Sequence, residues 1–113
     1  MRLSSVCLTA LLWVAGPQIA AAAIETAKCR LTRPHLPTAS AECGTLSVPE
    51  NPDDPGGRQI ALFVAIVPAL SQTPRPDPLV LINGGPGGAT TDLYLQLRPA
   101  FEPIRRERDI IIV

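Results

Sequence analysis

The run Ile60-Ala61-Leu62-Phe63-Val64-Ala65-Ile66-Val67 is the feature that most limits how this chain can fold. Eight apolar residues in a row, four of them β-branched, read as a strand buried on both faces. Eight is well short of the roughly 20 residues a membrane-spanning helix needs. The segments around the run supply candidate neighbours. Leu46-Ser47-Val48 alternates and then meets Pro49, so residues 44–48 read as a short strand. Asn51-Pro52-Asp53-Asp54-Pro55-Gly56-Gly57 is a chain of turn formers that returns the buried strand beside it as a hairpin. Prolines at 74, 76 and 78 make residues 71–78 a surface connection. Leu79-Val80-Leu81-Ile82 resumes as a third strand and stops at Asn83-Gly84-Gly85-Pro86-Gly87-Gly88.

A helix follows. Thr90, Thr91 and Asp92 are its N-cap candidates, and Leu93, Leu97, Ala100, Phe101 and Ile104 recur at helical spacing as its apolar stripe. Pro99 and Pro103 interrupt that stripe, which predicts two short pieces or a kink rather than one rod. Arg105-Arg106-Glu107-Arg108 reads as a solvated helix end. Asp109-Ile110-Ile111-Ile112-Val113 is a fourth strand, and a buried strand without a following cap or turn reads as part of an incomplete domain. The fold class expected is α/β.

The first 22 residues read as an address. Arg2 precedes an apolar run from Leu3 to Ala15, followed by Gly16-Pro17 and the small residues Ala20 to Ala23, the pattern of a secretory signal peptide cleaved after Ala22 or Ala23. Cys7 would leave with it. The expectation is therefore an exported protein, secreted or periplasmic, with no membrane attachment after cleavage. Residues 23–42 read as an extended arm, because Arg33-Pro34-His35-Leu36-Pro37 denies its middle the donors of a helix or central strand. The two remaining cysteines, Cys29 and Cys43, are expected to pair in an oxidising compartment.

Charge and motif content exclude several functions. Ten Lys plus Arg balance ten Asp plus Glu, and no basic stripe stands out, so nucleic acid is not an expected partner. One His with two cysteines does not complete a zinc site, and no metal is expected. The glycine segment lacks the Lys of a phosphate-binding loop, and Thr90 stands where the third Gly of G-x-G-x-x-G would fall. What a strand, a glycine turn and a helix start do offer is a row of backbone N–H groups open to a ligand oxygen.

Three stretches together resemble the α/β-hydrolase superfamily, and within it the secreted branch of the prolyl aminopeptidase and tripeptidyl aminopeptidase family. They are Cys43-Gly44-Thr45-Leu46-Ser47-Val48-Pro49, the strand entering Asn83-Gly84-Gly85-Pro86-Gly87-Gly88, and Asp109-Ile110-Ile111-Ile112-Val113. The likeness covers residues 43–113, and Cys29 in the arm is also typical. It implies the N-terminal portion of an α/β-hydrolase domain: an antiparallel first hairpin, then strand, oxyanion-hole loop, helix and strand. In that family the loop reads histidine-glycine-glycine-proline-glycine and helps stabilise the charge on a carbonyl oxygen under attack by serine. Asn83 stands in place of the histidine, so no role of that side chain carries over. The resemblance implies Gly85 as an N–H donor, with Gly84 and Gly87 shaping the backbone path, whereas Pro86 has no N–H to give.

The reaction so implied is hydrolysis of a peptide bond near a free N-terminus, by a serine acyl-enzyme route with no cofactor and a peptide as substrate. A hydrolase of this kind also needs a serine on a G-x-S-x-G elbow, an acid and a histidine. Residues 1–113 supply none of them. Ser40, Ser47 and Ser71 lack glycine flanks, and His35 sits between prolines ahead of the sheet. Asp92 reads as a helix cap and Asp109 as a strand-edge residue. The isolated segment is expected to be inactive. The competing reading is a small disulfide-bonded secreted binding module without catalysis, which should end on a capped or exposed element rather than on Ile-Ile-Ile-Val.

Overall fold

A computed structural model describes residues 24–113; the expected signal peptide and Cys7 lie outside the described residues. Five strands and one helix run in the order β1 (Thr26–Leu31), β2 (Ala39–Pro49), β3 (Gln59–Val67), β4 (Leu79–Leu81), α1 (Thr90–Arg105) and β5 (Ile110–Ile112). They make one mixed sheet of order β1-β2-β3-β5-β4. The first three strands and the β3–β5 pair are antiparallel, while β4 and β5 run parallel, joined by the crossover that a parallel pair requires. A mixed sheet with one helix is compatible with part of an α/β domain.

The strands form where alternation and turn chemistry place them. In the β2–β3 hairpin Thr45 lies opposite Phe63 and Val48 opposite Ile60. The turn between them is held by Asp54 N–H donating to the Asn51 carbonyl at 3.0 Å and by Glu50 N–H donating to the Arg58 carbonyl at 2.8 Å. One face of the sheet is dry. Paired residues share a face, and the register puts Cys29, Leu31, Ala39, Ala41, Cys43, Ala65, Val67, Ile110 and Ile112 on the side that α1 covers. Tyr94 and Leu95 pack onto them from the helix, and Tyr94 stacks on Phe101 with ring centroids 5.8 Å apart.

Several expectations are corrected. The segment expected as an arm is extended but belongs to the sheet: β1 pairs along its full length with the first half of β2, from Thr26 opposite Gly44 to Leu31 opposite Ala39. The prolines fall in the turn instead. There Leu36 N–H donates to the Arg33 carbonyl at 3.2 Å, and His35 takes φ 67° behind Pro34. The strand expected over residues 44–48 thus starts earlier, at Ala39.

The buried run is buried only in its second half. Val64, Ala65 and Val67 are buried, whereas Phe63 is 51% exposed. The reason is that β5 pairs only with Ala65, Ile66 and Val67, so the earlier part of β3 has β2 as its one neighbour.

The helix is a single 16-residue element, not two pieces. Pro99 and Pro103 stand four apart, and both are exposed, so their rings project into solvent rather than into the sheet that the helix covers. The apolar stripe is also rotated from its expected position. Tyr94 and Leu95 are buried, while Leu97 is 48% exposed and Ala100 is exposed. Arg105, Glu107 and Arg108 are not merely solvated. They bind the proline-rich connection, through Arg105 Nε to the Pro68 carbonyl at 3.1 Å, Arg75 to Glu107 at 2.8 Å, and Arg108 to Asp77.

Candidate functional site

The glycine segment connects the C-terminal end of β4 to the first turn of α1. Its path is set by two left-handed residues, Gly85 at φ 90° and Gly87 at φ 86°. With Pro86 between them, the sequence matches the demands of a turn that takes proline at its second position and glycine at its third. An added Cβ at Gly88 would come within 2.7 Å of the Asn83 side-chain nitrogen, so Gly88 serves the packing of Asn83 across the loop. At Gly84 no such constraint exists: a Cβ there would meet nothing within 4 Å, and the same holds for Gly85 and Gly87. The backbone at these three glycines therefore faces open space. Among the described residues, no group accepts a hydrogen bond from the amides of Gly84, Gly85 or Gly87. Unpaired N–H groups on an exposed, tightly curved backbone are what an anionic oxygen would find there.

The loop lies between two clefts. One, of about 380 Å³, is bordered by Phe63, Asn83, Gly88, Thr90, Ile112 and Val113, and half-exposed Phe63 gives it an apolar wall. The other, of about 200 Å³, is bordered by Asn83, Gly87, Asp92 and Gln96 and is polar. A wider cleft of about 580 Å³ sits elsewhere, over β1 and β2 beside Lys28, Arg30, Glu42 and Pro68.

The ends of the loop are anchored. Asn83 N–H donates to Thr90 Oγ1 at 3.1 Å, and the same hydroxyl donates to the Val113 carbonyl at 2.6 Å. Thr90 is consequently not the N-cap expected of it. The N-cap is Ala89, with no side-chain cap bond, and Asp92 falls inside the first turn. Asp92 instead pairs with Arg33 at 2.8 Å, and a carboxylate in the first helical turn also suits the helix dipole.

The other sequence candidates lie away from the loop. His35 is exposed in the β1–β2 turn, Ser40 and Ser47 are exposed on β2, and Ser71 sits in the proline-rich connection. Asp109 is structural: its carboxylate accepts from Ala69 N–H at 2.7 Å, and its carbonyl accepts from Leu79 N–H at 2.9 Å. Tyr94 is a residue that sequence reading missed. It is fully buried, its hydroxyl has no partner, and burial pushes its phenol up, against the opposing pull of Arg105 and Arg98. Among the described residues no group of three or more His, Cys, Asp or Glu is placed to hold a metal, and no helix is long and apolar enough to cross a membrane. Cys29 and Cys43 form the expected disulfide, with Cα atoms 5.8 Å apart. The two residues lie diagonally across the β1–β2 pair, Cys29 opposite Ala41 and Cys43 opposite Ala27.

Comparison with known proteins gives a partial likeness. Over 61 residues, 54% of this chain, the sequence is 43% identical to carboxylesterase B of Mycobacterium tuberculosis, in strains CDC 1551 and H37Rv alike. The matched stretch spans 11% of the length of those relatives. No family model matches the chain. The chain is thus related to hydrolases over about half of its length.

Proposed function

We propose that this chain is the N-terminal segment of an exported serine hydrolase, and that residues 83–88 form part of its oxyanion hole. The observation that carries the reading is the loop itself. It joins a strand to a helix, turns through two left-handed glycines, and leaves the amides of Gly84, Gly85 and Gly87 without acceptors among the described residues. In α/β-hydrolases the loop after the third strand, leading into the first helix, donates one of the two oxyanion N–H groups. Counted from the β2–β3 hairpin, β4 is the third strand.

In this reading Gly85 is the donor, and Gly84 and Gly87 shape the backbone around it. A tetrahedral intermediate carries its negative charge on the former carbonyl oxygen, and a donor already fixed in place stabilises that charge without reorganising. The nucleophile, acid and histidine would come from outside residues 24–113. No cofactor takes part, and nucleic acid is not a partner. The disulfide supports an oxidising compartment, as secretion or periplasmic export would provide.

For the substrate we propose a peptide, cleaved near its free N-terminus, as the resemblance to prolyl and tripeptidyl aminopeptidases implies. A carboxylic ester is the second reading, favoured by the name of the M. tuberculosis relatives. Both pass through the same acyl-enzyme, so the loop serves either. The full-length protein should be assayed on alanyl- and prolyl-p-nitroanilides, with free and acetylated N-termini, and on p-nitrophenyl acetate. Cleavage of the free-amine anilides supports the aminopeptidase reading, cleavage of the ester alone supports the esterase, and inertness toward all of them removes the hydrolase proposal.

A further inference from the structure

Thr90 is buried, at 8% exposure, where three elements end: the exit of β4, the last residues of β5 and the first turn of α1. Its hydroxyl accepts from Asn83 N–H at 3.1 Å and donates to the Val113 carbonyl at 2.6 Å, while Val113 N–H donates to the Leu81 carbonyl at 3.2 Å. Only a group that is donor and acceptor at once can make both Thr90 bonds, because one partner is an amide N–H and the other a carbonyl. The bond to Asn83 closes the loop into a ring that runs from Asn83 to Thr90. Inside that ring the amides of Gly84, Gly85 and Gly87 have no other tie among the described residues, and glycine-rich backbone carries a large conformational freedom to be restrained.

We propose that Thr90 is the positioning residue of the oxyanion loop: its hydroxyl fixes the span from Asn83 to α1 and thereby the place of the Gly85 amide. The proposal rests on the hydrolase reading above. Thr90 touches no reacting atom. Its effect is on the transition state, since the amide binds the charged oxygen of the intermediate far more strongly than the substrate carbonyl. Loss of the hydroxyl therefore lowers kcat and leaves KM in place. A displacement of the donor by about 1 Å is enough for a loss of about 100-fold.

The experiment is steady-state hydrolysis, by the full-length wild type, Thr90→Ser and Thr90→Val, of whichever of the p-nitroanilides and p-nitrophenyl acetate the wild type cleaves, together with amide hydrogen exchange at Asn83 in the wild type. Serine keeps the hydroxyl and loses the methyl; valine does the reverse. The expected result is a kcat about 100-fold lower in Thr90→Val at unchanged KM, a Thr90→Ser enzyme close to wild type, and a protected Asn83 amide. Wild-type kcat in Thr90→Val, or an equal loss in Thr90→Ser, would overturn the proposal. Should Thr90→Val fail to fold, an active Thr90→Ser with a protected Asn83 amide upholds it, and an Asn83 amide exchanging as freely as an open loop refutes it. A wild type inert toward the ester and the anilides alike removes the hydrolase reading itself and this role with it, whereas an active wild type with an unimpaired Thr90→Val removes the role of Thr90 alone.

Discussion

The Arg33 guanidinium meets the Asp92 carboxylate at 2.8 Å, linking the turn between β1 and β2 to the first turn of the helix that follows the glycine loop. Arg33 is more than half exposed and Asp92 largely covered. An ion pair this close to solvent contributes about 0.2–1 kcal/mol. A double-mutant cycle of Arg33→Ala and Asp92→Asn, read by thermal or denaturant unfolding, should return a coupling in that range. Asp92→Asn alone should cost more than Arg33→Ala, because it also loses the charge that suits the helix N-terminus.

His35 takes a left-handed φ of 67° in the same turn, at the position where glycine is usual. A side chain there costs roughly 1–2 kcal/mol, partly offset because glycine has more freedom to lose on folding. His35→Gly is therefore expected to stabilise the protein by about 0.5–1 kcal/mol, measured by denaturant midpoint.

Tyr94 buries a hydroxyl without a partner, so the ring and the oxygen have opposite worth. Tyr94→Phe should be neutral or stabilising by about 1 kcal/mol, whereas Tyr94→Ala should cost about 3–5 kcal/mol through the cavity it leaves beside Phe101. The raised phenol gives a further check. An unfolded tyrosine ionises near pH 10 while the buried one resists, so its share of stability is complete below that pH and is lost as pH rises toward the higher folded value. Tyr94→Phe should flatten the alkaline limb of the stability profile.

Asp77 behaves in the opposite sense. The Arg108 side chain hydrogen-bonds to it and holds its carboxyl below the ordinary carboxylate range, against a desolvation that would raise it. The pair is fully formed above the ordinary carboxylate value and is lost as pH falls through the lowered folded one. An NMR titration should find Asp77 ionising below the ordinary carboxylate range, and Arg108→Ala should return it toward that range.

These residues also mark what the sequence could and could not disclose. The second half of β2 was legible from its alternation before Pro49, β3 to β5 as apolar runs beside turn formers, and the loop because strand, glycines and helix start stand in order. β1 was not, because Thr26 to Leu31 is mostly exposed and polar; it is a strand through its pairing with β2, a contact between distant residues. The single helix across Pro99 and Pro103 was hidden for a similar reason: whether the two proline rings point to solvent depends on which side of the helix faces the sheet. Thr90 looked like a cap because a threonine before an apolar helix usually is one, and nothing local shows that its hydroxyl is already engaged by Asn83 and Val113.

The disulfide offers a prediction on folding. Cys29 and Cys43 are 14 residues apart in sequence, and closing a loop of about 15 residues removes roughly 3 kcal/mol of unfolded-state entropy in the chain-entropy model. Reduction, or Cys29→Ser with Cys43→Ser, should lower unfolding stability by about 2–4 kcal/mol without moving the glycine loop, which lies at the far side of the sheet on β4.

The central claim is that the glycine loop belongs to a serine hydrolase, and reaction of the full-length protein with a fluorophosphonate probe, followed by peptide mass spectrometry, tests it most directly. The account predicts one covalent adduct, on a serine other than Ser40, Ser47 and Ser71. Absence of any adduct on a folded protein, or an adduct on one of those three serines, would contradict it.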